Sequence, residues 1–158
     1  MKMGSGKTKV ACDLVRLRLG NIDAVIWIAP ASLLKSARYL SEIEKWSAGF
    51  FGLIFFFSTE SVSQSDSKYL EMRKIAESRR VFCIVDESIF IKNTKALRTR
   101  RLLEDYHLFD FRIILNGTPI TKSLLDLYAQ ISFLSPNILK MTERQFADNF
   151  LVYFFDGI

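Results

Sequence analysis

Val81-Phe82-Cys83-Ile84-Val85-Asp86-Glu87 is a run of five apolar residues that ends in two carboxylates. A short continuous apolar run, with Arg79-Arg80 before it and acids after it, predicts a strand covered on both faces, as in a parallel sheet. Two further stretches share the pattern. Ala24–Ala29 (AVIWIA) closes at Pro30, and Phe111–Leu115 (FRIIL) opens into Asn116-Gly117-Thr118-Pro119. The Phe-rich run over residues 50–57 reads as a fourth buried strand, core rather than a platform for stacked bases.

Between these runs the apolar period changes from strand to helix. Val10, Ala11, Leu14, Val15 and Leu17 share one face of a helix over residues 7–19, ended by Gly20-Asn21. Ser32 is placed to cap a second helix reaching about Trp46. Further helices are predicted over 68–78, 95–107 and 124–134, the last stopped at Ser135-Pro136, and Thr142 with Gln145 is a capping-box pair for a final short one. Residues 58–67 are polar and serine-rich and predict a mobile surface loop inside one domain. Strands alternating with crossover-length helical segments imply an α/β fold with a mainly parallel sheet flanked by helices, three layers in all.

Composition bounds the function. With 158 residues, 49% hydrophobic and 13% aromatic, the chain is one domain with a real core, which excludes disordered, collagen-like and coiled-coil classes. Cys12 and Cys83 form no CxxC, and His107 is the single histidine, so a disulfide scaffold or a zinc site is not expected. The longest apolar run, residues 50–57, falls far short of the ~20 residues that span a bilayer, and no apolar leader opens the chain. No membrane partner is expected, and the expected compartment is a reducing interior: the cytoplasm of a bacterial or phage-infected cell, or a nucleus. The net charge of +5 favours anionic partners without naming one.

In a parallel sheet, ligands meet the carboxyl ends of strands, so polar residues just after strands carry the candidate chemistry. Gly4-Ser5-Gly6-Lys7-Thr8 is the second half of a Walker A loop. Glycines let backbone N–H groups close around a phosphate at a helix N-terminus, Lys7 supplies a cation for the β/γ-phosphates, and Thr8 supplies a hydroxyl for Mg²⁺. The first glycine of the full pattern is replaced by Met1, and a strand ahead of the loop is not expected from the three residues before Gly4. Asp86-Glu87 has the Walker B arrangement: Asp86 for Mg²⁺, and Glu87 as the base that orients or deprotonates water. An acidic pair after a strand is also found as a solvated turn. Asn116-Gly117-Thr118-Pro119 is a third candidate, read either as a γ-phosphate sensor or as an ordinary strand-to-helix turn. Lys92, Lys95, Arg98, Arg100 and Arg101 form the densest basic cluster, read either as contacts to duplex phosphates or as a solvated helix face balanced by Glu104 and Asp105.

Taken in order, MGSGKT at 3–8, WIAPASLL at 27–34, EIEKW at 42–46, VDESIFIKN at 85–93 and RIILNGTPITKSLLDLYAQISFLSP at 112–136 resemble motifs I, Ia, II and III of the Swi/Snf-type DNA-dependent ATPases of helicase superfamily II. The resemblance implies an N-terminal RecA-like lobe over residues 1–158, the fold of a P-loop NTPase, with ATP and Mg²⁺ as cofactors. It implies double-stranded DNA and a second RecA-like lobe as partners. Lys7 and Thr8 match the phosphate and Mg²⁺ ligands, with Gly4, Ser5 and Gly6 as the cradle. Asp86 matches the Mg²⁺ residue and Glu87 the catalytic base. Ser32, within Pro30-Ala31-Ser32, matches the motif that runs along the DNA backbone, and Gly117 and Thr118 match the one that couples nucleotide state to DNA.

The chain departs from the family pattern at Ser88-Ile89, where an Ala/Gly-His pair is usual, at Asn116, where Thr is common, and between Leu34 and Glu42. The implied activity is ATP-driven translocation along a duplex. The second lobe, which supplies arginine fingers worth about 10³–10⁵ in rate, is expected to be missing here, leaving this lobe alone weak or inactive. A clamp-loader-like P-loop ATPase and a non-catalytic DNA-binding or assembly module are the competing readings.

Overall fold

Four strands, β1 (Ala24–Ala29), β2 (Ile54–Ser58), β3 (Val81–Asp86) and β4 (Phe111–Leu115), form one all-parallel sheet in the order β2-β1-β3-β4. The structure, a computed structural model, describes residues 6–151. Register sets Val25 beside Ile54 and Phe82, and Asp86 beside Leu115. The two inner strands are buried at every position, which is why their sequences are apolar without alternation.

Side-chain alternation divides those strands between two cores. Ala24, Ile26, Ile28, Val81, Cys83 and Val85 face one side, with Val62, Met72, Leu102 and Phe133 from the helices packed there. Val25, Trp27, Ala29, Phe82 and Ile84 face the other, against Ala11, Cys12, Val15 and Ile43. The first side is covered by α4 (Thr59–Gln64), α5 (Asp66–Ser78), α6 (Leu97–Glu104) and α7 (Leu125–Leu134). The second is covered by α1 (Lys7–Arg16) and α3 (Ala37–Trp46), which completes the expected three layers. Cys12 and Cys83 are buried in these cores as small hydrophobes, and burial pushes the Cys12 thiol up to about 11. Among the described residues no helix is long and apolar enough to cross a membrane.

Several boundaries differ from the sequence expectation. The helix predicted from Ser32 to Trp46 is two: a single turn, α2 (Ala31–Leu34), and then α3. The N-cap of α2 is Pro30, not Ser32. The break lies at Ser36, whose extended backbone and side-chain oxygen, accepting from the Tyr39 N–H, start a new helix. Residues 58–67, expected as a loop, fold as α4 and the start of α5. Ser58 and Ser61 exchange a reciprocal capping box, and Ser65 caps α5, so these serines mark helix starts rather than solvated linker.

The strand expected over 50–57 begins only at Ile54, after a 3₁₀ turn at Phe51–Leu53, and it is an edge strand with Phe55 and Phe56 half-buried. The helix expected over 95–107 is shorter, α6, and exposed His107 sits in a 3₁₀ turn beyond it. After α7, Ser135 caps a short α8 (Pro136–Leu139), and α9 (Glu143–Phe150) carries the predicted Thr142/Gln145 capping box.

Candidate functional site at the carboxyl edge of the sheet

Because all four strands are parallel, their carboxyl ends share one edge. The chain runs outward from β1 to β2, then returns to the far side of β1 to form β3. That reversal opens a crevice between the ends of β1 and β3, the place where α/β sheets bind ligands. Three chain segments meet there.

The first is the start of α1. Gly6 is its N-cap with φ 79°, a left-handed backbone that strains any residue with a Cβ, and its carbonyl accepts from Val10 N at 3.0 Å to open the helix. No acid occupies the first turn, so no side chain of the helix itself offsets the positive end of its dipole. Thr8 is buried, and the Lys7 side chain, 12% exposed, reaches Glu87 with Nζ to Oε1 at 3.3 Å. Gly4 and Ser5 lie outside the described residues.

The second segment is the end of β3. Asp86 is buried, and its Oδ1 accepts from Glu87 N at 2.9 Å. Its Oδ2 accepts from the Tyr39 hydroxyl at 2.6 Å. Burial pushes the Asp86 carboxyl above its ordinary value, and the Tyr39 and Glu87 N–H bonds oppose that push by favouring the charged form. Tyr39 is driven up in turn, by burial first and by Asp86 second, so it stays a donor. Trp27 Nε1 donates to the Tyr39 oxygen at 3.0 Å, completing a chain from β1 through α3 to the carboxylate. Glu87 takes φ 52° and ψ 56°, a left-handed conformation that costs a non-glycine residue about 1–3 kcal/mol. That tight turn is how the residue after a buried strand end points back at Lys7.

These groups suit a Mg²⁺-bound polyphosphate. A carboxylate and a hydroxyl are hard oxygen donors, and Mg²⁺ is usually held by one or two such groups plus phosphates and waters. Among the described residues no group of three or more His, Cys, Asp and Glu forms a separate metal cage.

The third segment follows β4. Thr118 N donates to Asn116 Oδ1 at 2.9 Å, closing the turn; Gly117 is half-buried and Thr118 exposed. Asn116 Nδ2 donates to Ser88 Oγ at 3.2 Å and to Gln130 Oε1 at 3.1 Å, so this turn is tied to the segment leaving β3. Beside them, Ser32 is exposed on α2, and the turn leading into it is pinned by Glu60, whose Oε2 accepts from Ala31 N at 2.9 Å.

The basic cluster does not form one continuous patch. Arg101 is 12% exposed, donates to the Val62 carbonyl at 2.8 Å, pairs with Asp66 and lies over the Tyr69 ring, fastening α6 to α4 and α5. Arg98 Nε donates to the Phe90 carbonyl at 2.6 Å. Lys92 is held by Asp126 at 3.2 Å and by Thr121. Lys95 and Arg100 are exposed. Arg80 forms a two-pronged pair with Asp23 at the amino end of β3, on the opposite edge. A groove of about 240 Å³ lined by Leu17, Phe82, Phe111 and Ile113 also lies toward the amino ends of β3 and β4, apart from the carboxylates.

Sequence reasoning did not single out Tyr39, Glu60 or Gln130. Only the helix restart at Ser36 could have signalled Tyr39, because it turns that side chain toward the sheet edge. Gln130 lies inside an apolar helical stretch, LDLYAQISFL, where a lone buried amide signals an interior polar contact.

The SNF2-related domain family matches residues 66–155. Among similar proteins, the TATA-binding protein-associated factor mot1 of Aspergillus fumigatus is 42% identical over 72 residues, 44% of this chain and 4% of that protein. The TATA-binding protein-associated factor 172 of Homo sapiens is 42% identical over 66 residues, 42% of this chain and 3% of that protein. An uncharacterized ATP-dependent helicase of Mycoplasma genitalium is 32% identical over 90 residues, 57% of this chain and 8% of that protein. The matched stretches are thus a small part of each relative. In three dimensions the chain is similar to the Sulfolobus solfataricus SWI2/SNF2 ATPase core in complex with dsDNA, with a TM-score of 0.73 and 21% identity over 99% of this chain and 34% of that one. An all-parallel sheet flanked by helices, motifs in Swi/Snf order and a family match over more than half the sequence agree: the chain belongs to the SNF2-related domain family, the Swi/Snf-type ATPases of superfamily II.

Proposed function

We propose that the crevice between β1 and β3 binds Mg·ATP and that the chain is the ATP-binding lobe of a translocase acting on double-stranded DNA together with a second RecA-like lobe. The observation that carries this reading is the meeting of Lys7 with Glu87, eighty residues apart, next to buried Asp86. Lys7 and the α1 N-terminus supply positive charge for phosphates, with Gly4, Ser5 and Gly6 as the backbone cradle. Thr8 and Asp86 supply oxygen donors for Mg²⁺. Bound Mg²⁺ would neutralise phosphate charge, while Glu87 orients and deprotonates water.

Ser32, Gly117 and Thr118 share the carboxyl edge with this crevice, and exposed Lys95 and Arg100 are the cluster members best placed to meet a duplex backbone. The dsDNA held by the Sulfolobus core supports that partner. Its chain is about three times the matched length, which supports a second lobe. Family membership disfavours the clamp-loader-like reading.

The test is ATP turnover by this chain joined to a second lobe, with and without duplex. Duplex-stimulated hydrolysis that Glu87→Gln abolishes is the expected result. Tight Mg·ATP binding with no turnover under any condition would favour the non-catalytic assembly module.

A further inference from the structure

Gln130 is fully buried on α7 and uses its whole hydrogen-bonding capacity. Its Oε1 accepts from Ser88 Oγ at 2.6 Å and Asn116 Nδ2 at 3.1 Å. Its Nε2 donates to the Pro119 carbonyl at 2.9 Å and to the Asp126 carbonyl one turn back at 2.5 Å. One side chain therefore joins three segments: the turn leaving β3, the turn leaving β4 and α7. Ser88 is also fully buried and directly follows Glu87, so its bond to Gln130 fixes the strained turn that aims Glu87 at Lys7.

One helical turn earlier, Asp126 repeats the bridge between the same two segments. It accepts from Thr121 N and Thr121 Oγ1 at 2.8 Å and Lys122 N at 3.0 Å on the post-β4 side, and from Lys92 Nζ at 3.2 Å on the post-β3 side. Two rungs on one ten-residue helix make these segments a mechanically linked pair. Apolar packing of α7 does not require either rung. A buried amide left with a bond missing is costly, so a displaced Ser88 forces Gln130 and its other partners to move or to lose a bond.

We infer that Gln130 is a positioning residue that couples Glu87 to the loop over residues 116–122, with α7 as the rigid connector. The inference rests on the nucleotide-binding reading of the crevice. Ser88 and Asn116, two departures from the family pattern, are both partners of this one amide.

Hydrogen–deuterium exchange of the 158-residue chain, with and without Mg·ATP, tests the inference in the wild type, Ser88→Ala and Gln130→Leu. The expected result is nucleotide-dependent protection in two places in the wild type, residues 6–12 and residues 117–122. Both variants should keep the first and lose the second. Ser88→Ala removes one hydroxyl and leaves the Gln130 bonds to Pro119 and Asp126, so it reports even where Gln130→Leu folds poorly. A merely structural role would raise exchange in the nucleotide-free variants yet leave the Mg·ATP difference at 117–122 intact, and that outcome overturns the inference. Wild-type protection confined to 6–12 overturns it as well. No protection at 6–12 overturns the nucleotide-binding reading itself and the inference with it.

Discussion

Lys7 Nζ lies 3.3 Å from Glu87 Oε1, so the candidate phosphate cation and the candidate catalytic base are paired with each other. A phosphate would draw on the same Lys7 charge that Glu87 now neutralises. A partly exposed pair of this kind is worth about 0.5–1 kcal/mol. Glu87→Gln is therefore expected to tighten Mg·ATP binding about 2–5-fold while lowering single-turnover hydrolysis by about 10²–10⁴. Calorimetric titration of the chain measures the first effect and quenched-flow hydrolysis by the chain joined to a second lobe the other; weaker binding in Glu87→Gln would show that Glu87 is not competing for Lys7.

Tyr39→Phe keeps the ring and removes one oxygen. The Asp86 carboxylate loses a 2.6 Å donor and the fully buried Trp27 N–H loses its acceptor. The expected cost is about 2–3 kcal/mol of folding stability, read from urea midpoints at constant m-value. A change within about 0.5 kcal/mol would mean that the Trp27–Tyr39–Asp86 chain is not maintained in solution.

Asp126 gives the fold an acid-sensitive clamp. Burial pushes its carboxyl up, but the Lys122 and Thr121 N–H groups, the Thr121 hydroxyl and Lys92 outweigh burial and hold it well below its ordinary 3.8. As pH falls below about 4 the unfolded chain takes the proton first, so stability present above that pH is lost progressively on further acidification. Asp126→Asn should be less stable at pH 7 and show a flatter decline between pH 4 and 2, followed by melting temperature against pH. Parallel acid limbs in the two proteins would refute the clamp.

The basic cluster divides into structural and solvent-facing members. Arg101→Ala is expected to cost about 1–2 kcal/mol through the Asp66, Val62 and Tyr69 contacts. Lys95→Ala and Arg100→Ala should leave stability within about 0.5 kcal/mol and each reduce the log–log salt slope of duplex binding by about 0.9. Fluorescence anisotropy across a salt series reads the slope, and an unchanged slope in both would remove these residues from the DNA surface.

Much of the fold was legible because the inner strands are buried on both faces and need no alternation: Ala24–Ala29 and Val81–Asp86 match the expected bounds to the residue. The place of the acidic pair was legible for a related reason. Strand ends in a parallel sheet share one edge, so Asp86-Glu87 had few places to be. Serine chemistry was harder to read. Ser36, Ser58 and Ser65 each accept a backbone N–H and start a helix, whereas composition alone makes 58–67 look like loop. Tyr39 was hidden by the same feature, since a helix continuous from Ser32 would present a different face to the sheet. Gln130 was hidden because its three partner segments are distant in sequence, and only the fold brings Ser88, Asn116 and Pro119 around one amide.

The most direct test of the central claim is the melting temperature of the chain with and without saturating Mg·ATP, in the wild type and in Lys7→Ala. Binding at about 100 times Kd adds about 2.7 kcal/mol, or about 5–10 °C for a chain of this size. That rise is expected in the wild type, dependent on Mg²⁺, and is expected to be lost in Lys7→Ala. No Mg·ATP-dependent rise in the wild type, or an equal rise in Lys7→Ala, would contradict it.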